Sequence, residues 1–147
     1  MRGSPVIHLL FCVALAGAAQ AAEFRSVQDK ASILYDAPST QAAKRFVVSA
    51  GYPFEVLVKL DRWTKVRDDR GGISWVEAKS LSEKRMLIVV AAGAEIREKP
   101  ASDGHIVFRA DKGLLLELTD KPIDGWAKIH HRDGQDGYIS SKQVWGL

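Results

Sequence analysis

The chain has 147 residues, of which 46% are hydrophobic and 27% charged, with twelve Gly and five Pro. These are ordinary globular values, and they exclude a collagen, a coiled coil and a wholly disordered chain. Lys and Arg number 21 against 18 Asp and Glu, so the net charge of +3 is far from the clustered positive charge of a nucleic-acid-binding protein. We therefore expect no nucleic acid as a partner.

The N-terminus has the pattern of a secretory signal peptide. Arg2 supplies a positive charge, residues 6–16 form an apolar stretch, and Ala19-Gln20-Ala21 matches a small-x-small cleavage site. We expect residues 1–21 to be a signal peptide cleaved after Ala21, and the mature protein to be periplasmic or secreted. The alternative is a buried N-terminal helix of the mature fold. The apolar stretch is too short for a retained anchor, so no stable membrane insertion is expected after cleavage.

The single cysteine, Cys12, lies inside this apolar stretch, so cleavage would leave a chain without a thiol. Such a chain suits an oxidising compartment and forms no disulfide bond. It also cannot use a cysteine nucleophile, which excludes the cysteine-dependent hydrolases and transpeptidases.

The rest of the chain contains the same unit twice, because residues 31–82 align with residues 93–145 at a spacing of 62 or 63. Six landmarks that hold register across a one-residue gap indicate duplication of a small domain. We expect a first domain at residues 22–82 and a second at 83–147, packed together because domains of about 60 residues are marginal alone. The aligned pairs are Pro38 and Pro100, Phe46 and Phe108, Gly51 and Gly113, Trp63 and Trp126, Trp75 and Tyr138, and Leu81 and Val144.

Each copy has the pattern of short strands joined by tight turns. Runs rich in β-forming residues occupy 54–60 and 114–119, and alternating runs occupy 63–67, 73–77, 126–130 and 137–140. Gly and Asp dominate residues 68–72 and 133–137, which is typical of hairpin turns. Since no helical periodicity appears after residue 22, the sequence predicts an all-β fold with two small, strongly bent barrels in tandem.

The order of these features resembles a known family. Each copy has an early Pro, a Gly before a β-rich run, Trp-x-Lys followed by Val or Ile, and, after a turn, Trp or Tyr followed by Val or Ile. This order, with residues 34–39, 63–68, 133–139 and 144–147, resembles the bacterial SH3 domain and its exported two-repeat members. The resemblance implies two SH3-like β-barrels and a role in binding rather than catalysis, since relatives are cell-wall-targeting or envelope modules.

No pattern in the sequence indicates a catalytic, metal or cofactor site. His130 and His131 are neighbours in a predicted strand and so point to opposite faces, and no further His or Cys follows at a metal-ligand spacing. We interpret both as solvated hairpin residues. Glu95 and Glu98 form no pattern that the first copy repeats, and residues 133–137 lack the spacing of a calcium loop. We therefore expect no enzyme activity, no metal and no cofactor.

The aromatic side chains form the candidate binding site. In each predicted hairpin, small and aliphatic residues occupy one face while aromatic and basic residues occupy the other. If the aliphatic face is the core, each copy presents an aromatic pair beside cations, which suits a polar, partly apolar ligand. The alternative is that the rings are buried against the other domain or a neighbouring loop. The candidate ligand-binding residues of this aromatic groove are Tyr35, Trp63, Trp75, Trp126 and Tyr138.

The two copies are not equivalent at this site. Arg97 and Glu98 stand where the first copy has Tyr35 and Asp36, which indicates that only one copy binds, without showing which. We predict an exported, non-catalytic binding module of the cell envelope that recognises peptidoglycan or a wall-associated peptide. The alternative is a periplasmic adaptor whose partner is an envelope enzyme, and a third hypothesis is an enzyme of unrecognised type.

Overall fold

The structure is a computed structural model that describes residues 21–147, so nearly all of the predicted signal peptide lies outside the described residues. The described residues form fourteen strands in two seven-stranded antiparallel sheets, one in each half. Two short 3-10 helices accompany them, at Ala78–Ser80 and Ser141–Gln143. The predicted all-β fold of two tandem units is confirmed.

The first sheet has the strand order β3-β2-β6-β5-β4-β1-β7, so β3 and β7 are its ends. The strands are β1 at Phe24–Val27, β2 at Ser32–Tyr35, β3 at Lys44–Val48, β4 at Pro53–Lys59, β5 at Trp63–Arg67, β6 at Ile73–Glu77 and β7 at Leu81–Ser82.

The second sheet repeats this order as β10-β9-β13-β12-β11-β8-β14. Its strands are β8 at Met86–Val89, β9 at Ala94–Arg97, β10 at Ile106–Ala110, β11 at Leu115–Leu118, β12 at Trp126–His130, β13 at Asp136–Ser140 and β14 at Val144–Trp145. The identical order in both halves confirms the internal duplication.

Local sequence patterns predict the strands β4–β6 and β11–β13. The observed β5, β6 and β12 begin and end at the predicted residues, and β13 begins one residue earlier than predicted. Both hairpins turn through a glycine in the left-handed region, Gly71 at a φ of 83° and Gly134 at 92°. Residues that have a side chain rarely adopt this backbone conformation, which explains the glycine at each turn.

Each sheet curls around a hydrophobic core of its own. The alternation predicted for the hairpins is confirmed, because Val66 and Val76 in the first repeat, and Ile129 and Ile139 in the second, are almost completely buried. The first core consists of Val27, Leu34, Phe54, Val66 and Val76. The second consists of Leu87, Val89, Ala94, Ile96, Ala110, Leu116, Ala127, Ile129, Ile139 and Val144.

The two repeats contact each other through their first and last strands. The ring of Phe24 meets that of Trp145 edge-on, with centroids 5.1 Å apart and planes at 86°. Between the repeats, the Arg85 guanidinium lies 5.4 Å from the Phe24 ring centroid and donates to the carbonyl of Gly146 at 2.7 Å. Burial, with a smaller contribution from the charge of Arg25, lowers the pKa of Arg85. Phe24 therefore connects the beginning of the first repeat to the end of the second.

Replacement of this ring tests how much the contact stabilises the protein. Phe24 is 8% exposed, and we expect Phe24→Ala to lower the free energy of unfolding by about 3–5 kcal/mol through lost burial and an unfilled cavity. Phe46→Ala is the matched control because the Phe46 ring is 59% exposed, and its effect should stay within about 0.5 kcal/mol. Urea denaturation followed by tryptophan fluorescence measures both, and equal effects would contradict a stabilising role for Phe24.

Candidate functional site

The outer faces of the hairpins β5–β6 and β12–β13 carry the predicted aromatic residues. Lys65 pairs with Trp75 and Lys128 with Tyr138 across the two ladders. Trp63 and Trp126 each lie two residues before the paired lysine and so share its face. Diagonal neighbours on one face are about 7–8 Å apart, within reach of aromatic side chains. The hairpins thus bring Trp63 close to Trp75, and Trp126 close to Tyr138.

In the first repeat, these rings contact partners within the same repeat. Tyr35 in β2 pairs with Trp75 in β6, and its ring meets that of Trp63 edge-on at 5.3 Å and 89°. The Nζ of Lys65 lies 5.8 Å from the Trp75 ring centroid, within cation–π range. Tyr35 is only 5% exposed, so its ring contacts Trp63 from within the repeat and has little surface for a ligand.

The second repeat has Arg97 in the position of Tyr35, because Arg97 in β9 pairs with Tyr138 in β13. The guanidinium of Arg97 donates to the carbonyl of Gly104 at 2.7 Å and to the carboxylate of Glu95. In the part of the chain that the structure describes, neither a second ring nor a cation stacks on Trp126 or Tyr138. Both rings are half-buried, as are those of Trp63 and Trp75, so the repeats differ here in what contacts the rings.

Trp126 and Tyr138 line a small cavity of about 150 Å³, which we call the Trp126–Tyr138 pocket. Lys128, from the same hairpin, contributes a cation to its wall. The other lining residues come from two loops and are Pro100, Asp120, Lys121 and Ile123. The lining of the pocket therefore combines apolar side chains with two lysines and one carboxylate.

A tight turn holds Ile123 at the edge of this pocket. Ile123 and Trp126 exchange two backbone hydrogen bonds of 2.9 Å, so the turn between them has only two residues. These are Asp124 at a φ of 50° and Gly125 at 81°, and Asp-Gly with both φ positive is the favoured composition of a type I′ hairpin turn. Ile123 is 68% exposed, which leaves its side chain available to a ligand.

The site residues predicted from the sequence do not include Ile123, Pro100 or Lys121. One signal was present, because an aliphatic residue precedes the Trp by three positions in both copies, as Leu60 and as Ile123. Pro100 had served as a landmark of the repeat. Alignment of the two repeats does not show the loop geometry that places these residues beside the aromatic pair.

A larger cleft, of about 550 Å³, lies between the repeats and contains none of the candidate aromatic residues. Two of its polar side chains already have carboxylate partners. Lys84 pairs with Glu117 at 2.8 Å, and the Nδ1 of His130 lies 2.7 Å from Asp136. The Trp126–Tyr138 pocket is the better candidate because its apolar and charged groups converge on one small cavity.

The other titratable candidates have structural partners. Glu95 pairs with Arg97 and, at 2.9 Å, with Arg109, which accounts for its carboxylate. The interpretation of His131 as solvated is wrong, because the residue is buried and its ring lies 5.6 Å from that of Phe108. Within residues 21–147, no group of three or more His, Cys, Asp or Glu is arranged to hold a metal ion. None of the helices described is long and apolar enough to span a bilayer.

Comparison with solved structures finds distant similarity of fold. NlpC1 from Trichomonas vaginalis is 19% identical, with a TM-score of 0.40 and coverage of 88% of this chain and 48% of that one. NlpC2 from the same organism is 17% identical, with a TM-score of 0.41 and coverage of 86% and 49%. An NlpC/P60 family protein from Bacillus cereus ATCC 10987 is 14% identical, with a TM-score of 0.36 and coverage of 82% and 55%. This chain thus spans about half the length of each.

The family to which the chain belongs follows from a comparison of its sequence with family models. No curated protein matches the chain. The model of the bacterial SH3 domain matches it twice, at residues 28–83 and 90–146, and so covers well over half of the sequence. Each match falls on one of the two seven-stranded sheets. The protein therefore belongs to the bacterial SH3 domain family, with two repeats in tandem.

Proposed function

We propose that the protein is a non-catalytic binding module of the cell envelope, and that its second repeat binds peptidoglycan or a wall-associated peptide in the Trp126–Tyr138 pocket. Membership of the bacterial SH3 domain family supports a wall-associated binding role. The signal-peptide pattern of residues 1–21 supports a periplasmic location. The observation that carries the choice of site is the open pair of rings in the second repeat.

The size of the pocket restricts the ligand. A volume of about 150 Å³ accommodates a group the size of one amino-acid side chain. Pockets for drug-sized ligands and cofactors are larger, about 300–1,000 Å³. The pocket therefore suits one residue of a longer ligand that continues over the surface, such as the stem peptide of a cell wall.

The groups around the pocket suit the chemistry of such a peptide. Trp126, Tyr138, Pro100 and Ile123 offer apolar surface to a methyl group or an aliphatic chain. Lys121 and Lys128 can bind a carboxylate, and Asp120 can bind an ammonium group. Wall peptides contain all three kinds of group, which is why we prefer them to a neutral ligand.

The first repeat is the less suitable binding site because its rings already contact each other. Tyr35 contacts Trp63, and Lys65 lies over Trp75. A ligand that stacked on these rings would have to displace contacts that stabilise the repeat. We therefore assign the first repeat a structural role at this face.

Co-sedimentation of the protein with isolated peptidoglycan tests the proposal. We expect Trp126→Ala to weaken binding about tenfold or more, since an aromatic anchor at the centre of an interface contributes roughly 2 kcal/mol. Trp63→Ala is the matched control and should bind as the unmodified protein does. The fold of each variant is checked by its urea denaturation midpoint.

Two outcomes contradict the proposal in different ways. Equal loss of binding in both variants would mean that the assignment to the second repeat is wrong. An unmodified protein that stays in the supernatant would exclude the wall as its ligand. In that case a stable partner in crosslinked envelope extracts would support the adaptor hypothesis.

A second prediction concerns the residue that distinguishes the two repeats. Arg97→Tyr introduces the residue that the first repeat has at this position, and its ring should contact Trp126 and fill the pocket. We expect wall binding to fall in this variant. Arg109→Gln removes the other partner of Glu95 without adding a ring, and it should bind normally. Binding unchanged in Arg97→Tyr would show that the ligand does not enter the pocket.

A further inference from the structure

The outermost strand of the first sheet, β3, has an unusual combination of exposure and composition. It stands at the end of the strand order and has one hydrogen-bonded neighbour, β2. Four of its five residues are exposed, among them Phe46 at 59% and Val47 at 71%. An exposed apolar edge strand is a template for pairing with another chain, and proteins usually protect such edges with charge or cover.

The second repeat covers part of the same edge, although Ile106 and Val107 of β10 are each 40% exposed. In β10, the ring of Phe108 packs against the core and lies 5.6 Å from His131, whereas the aligned ring of Phe46 is exposed. The next position in β10 is Arg109, whose guanidinium pairs with Glu95 of β9 at 2.9 Å. The first repeat has Val47 opposite Ile33 at this place, where the second repeat has Arg109 opposite Glu95.

A groove of about 450 Å³ runs beside the exposed strand. One of its walls is the ring of Tyr52, which is fixed because its hydroxyl donates to Asp69 and its ring contacts Phe54. Burial, together with the hydrogen bond to Asp69, raises the pKa of the Tyr52 hydroxyl above its usual range. Strand residues 45–48 form the other wall.

This surface carries three basic side chains and two carboxylates, those of Asp68 and Asp69. Lys44 and Arg45 are exposed at the start of β3, and Arg70 lines the groove. Among the described residues, none of these three side chains takes part in an ion pair. The carboxylate of Asp68 also lines the groove, but one of its oxygens accepts hydrogen bonds from the backbone amides of Arg70 and Gly72.

We propose that β3 is a docking edge for a partner protein, which adds to the first sheet an extended segment in which pairs of apolar residues and pairs of acidic residues alternate, to match Lys44-Arg45 and Phe46-Val47. Backbone hydrogen bonds along the edge provide affinity, and alternate side chains of the segment meet the groove. The exposed Phe46 and Val47 select apolar residues, while Lys44, Arg45 and Arg70 select carboxylates. A second copy of this chain fits less well, because it would bring the same three cations to the shared edge.

This docking edge is separate from the Trp126–Tyr138 pocket, since it lies in the other repeat and shares no residue with it. A partner bound at β3 would therefore leave the pocket free for a wall ligand. The protein would then be able to hold a partner at the wall while both sites are occupied.

Fluorescence anisotropy with a labelled synthetic peptide that repeats Val-Val-Glu-Glu tests the proposal on the whole protein. We expect binding that weakens as salt increases, and no binding of the peptide with Lys in place of Glu. Val47→Glu should weaken binding at least tenfold by removing apolar surface and adding like charge. The control is Val107→Glu, which makes the same change at an exposed position of β10 and should have no effect.

Further measurements separate this proposal from the alternatives. Amides of β3 should gain protection from hydrogen exchange when the peptide binds, and Trp126→Ala should leave peptide binding unchanged. No binding of the Glu peptide, equal binding of the Lys peptide, or an unaffected Val47→Glu variant would overturn the proposal. A concentration-dependent dimer that Val47→Glu abolishes would also overturn it, in favour of pairing between two copies.

Discussion

The structure depends on the hydrogen-bonded register of one hairpin, which each repeat contains once. Residues directly opposite each other in the ladder share a face, so burial of Val66 opposite Ser74 also sets Lys65 opposite Trp75 on the outside. A slip of one residue would turn the aliphatic side chains to solvent and the rings to the core. The cost of exposing the core therefore fixes the positions of the hairpin rings, although none of these belongs to either core cluster: Trp63, Trp75, Trp126 and Tyr138.

Duplication of this hairpin produced two similar frameworks whose surfaces have diverged. At the aromatic face of the first repeat, the ring of Tyr35 contacts that of Trp63. In the second repeat, Arg97 instead binds Gly104 and Glu95, and Trp126 lines a pocket. At the outer edge the difference is reversed, because Val47 is exposed in the first repeat and Arg109 is ion-paired in the second. The two proposed binding sites therefore lie in different repeats.

The contact between the repeats makes these surfaces parts of one body. Phe24 and Trp145 are more than a hundred residues apart in the chain, yet their rings meet beneath Arg85. Small domains of about 60 residues bury a limited fraction of their surface, so a shared apolar contact adds stability that neither repeat has alone. This contact gives a structural role to Trp145, which is not part of the candidate binding site.

The sequence by itself determined the strands β4–β6 and β11–β13, the hairpin turns, the duplication and the faces of the hairpin residues. These features follow from period-two alternation and from glycine at positive φ, which are local properties that the neighbouring residues specify. Only the tertiary structure decided which repeat has an open aromatic pocket, where Trp145 packs, and that His131 is buried and β3 uncovered. Each of these depends on contacts between distant segments, such as Tyr35 with Trp63 or Phe108 with His131, and alternation carries no information about which distant side chain fills a given space.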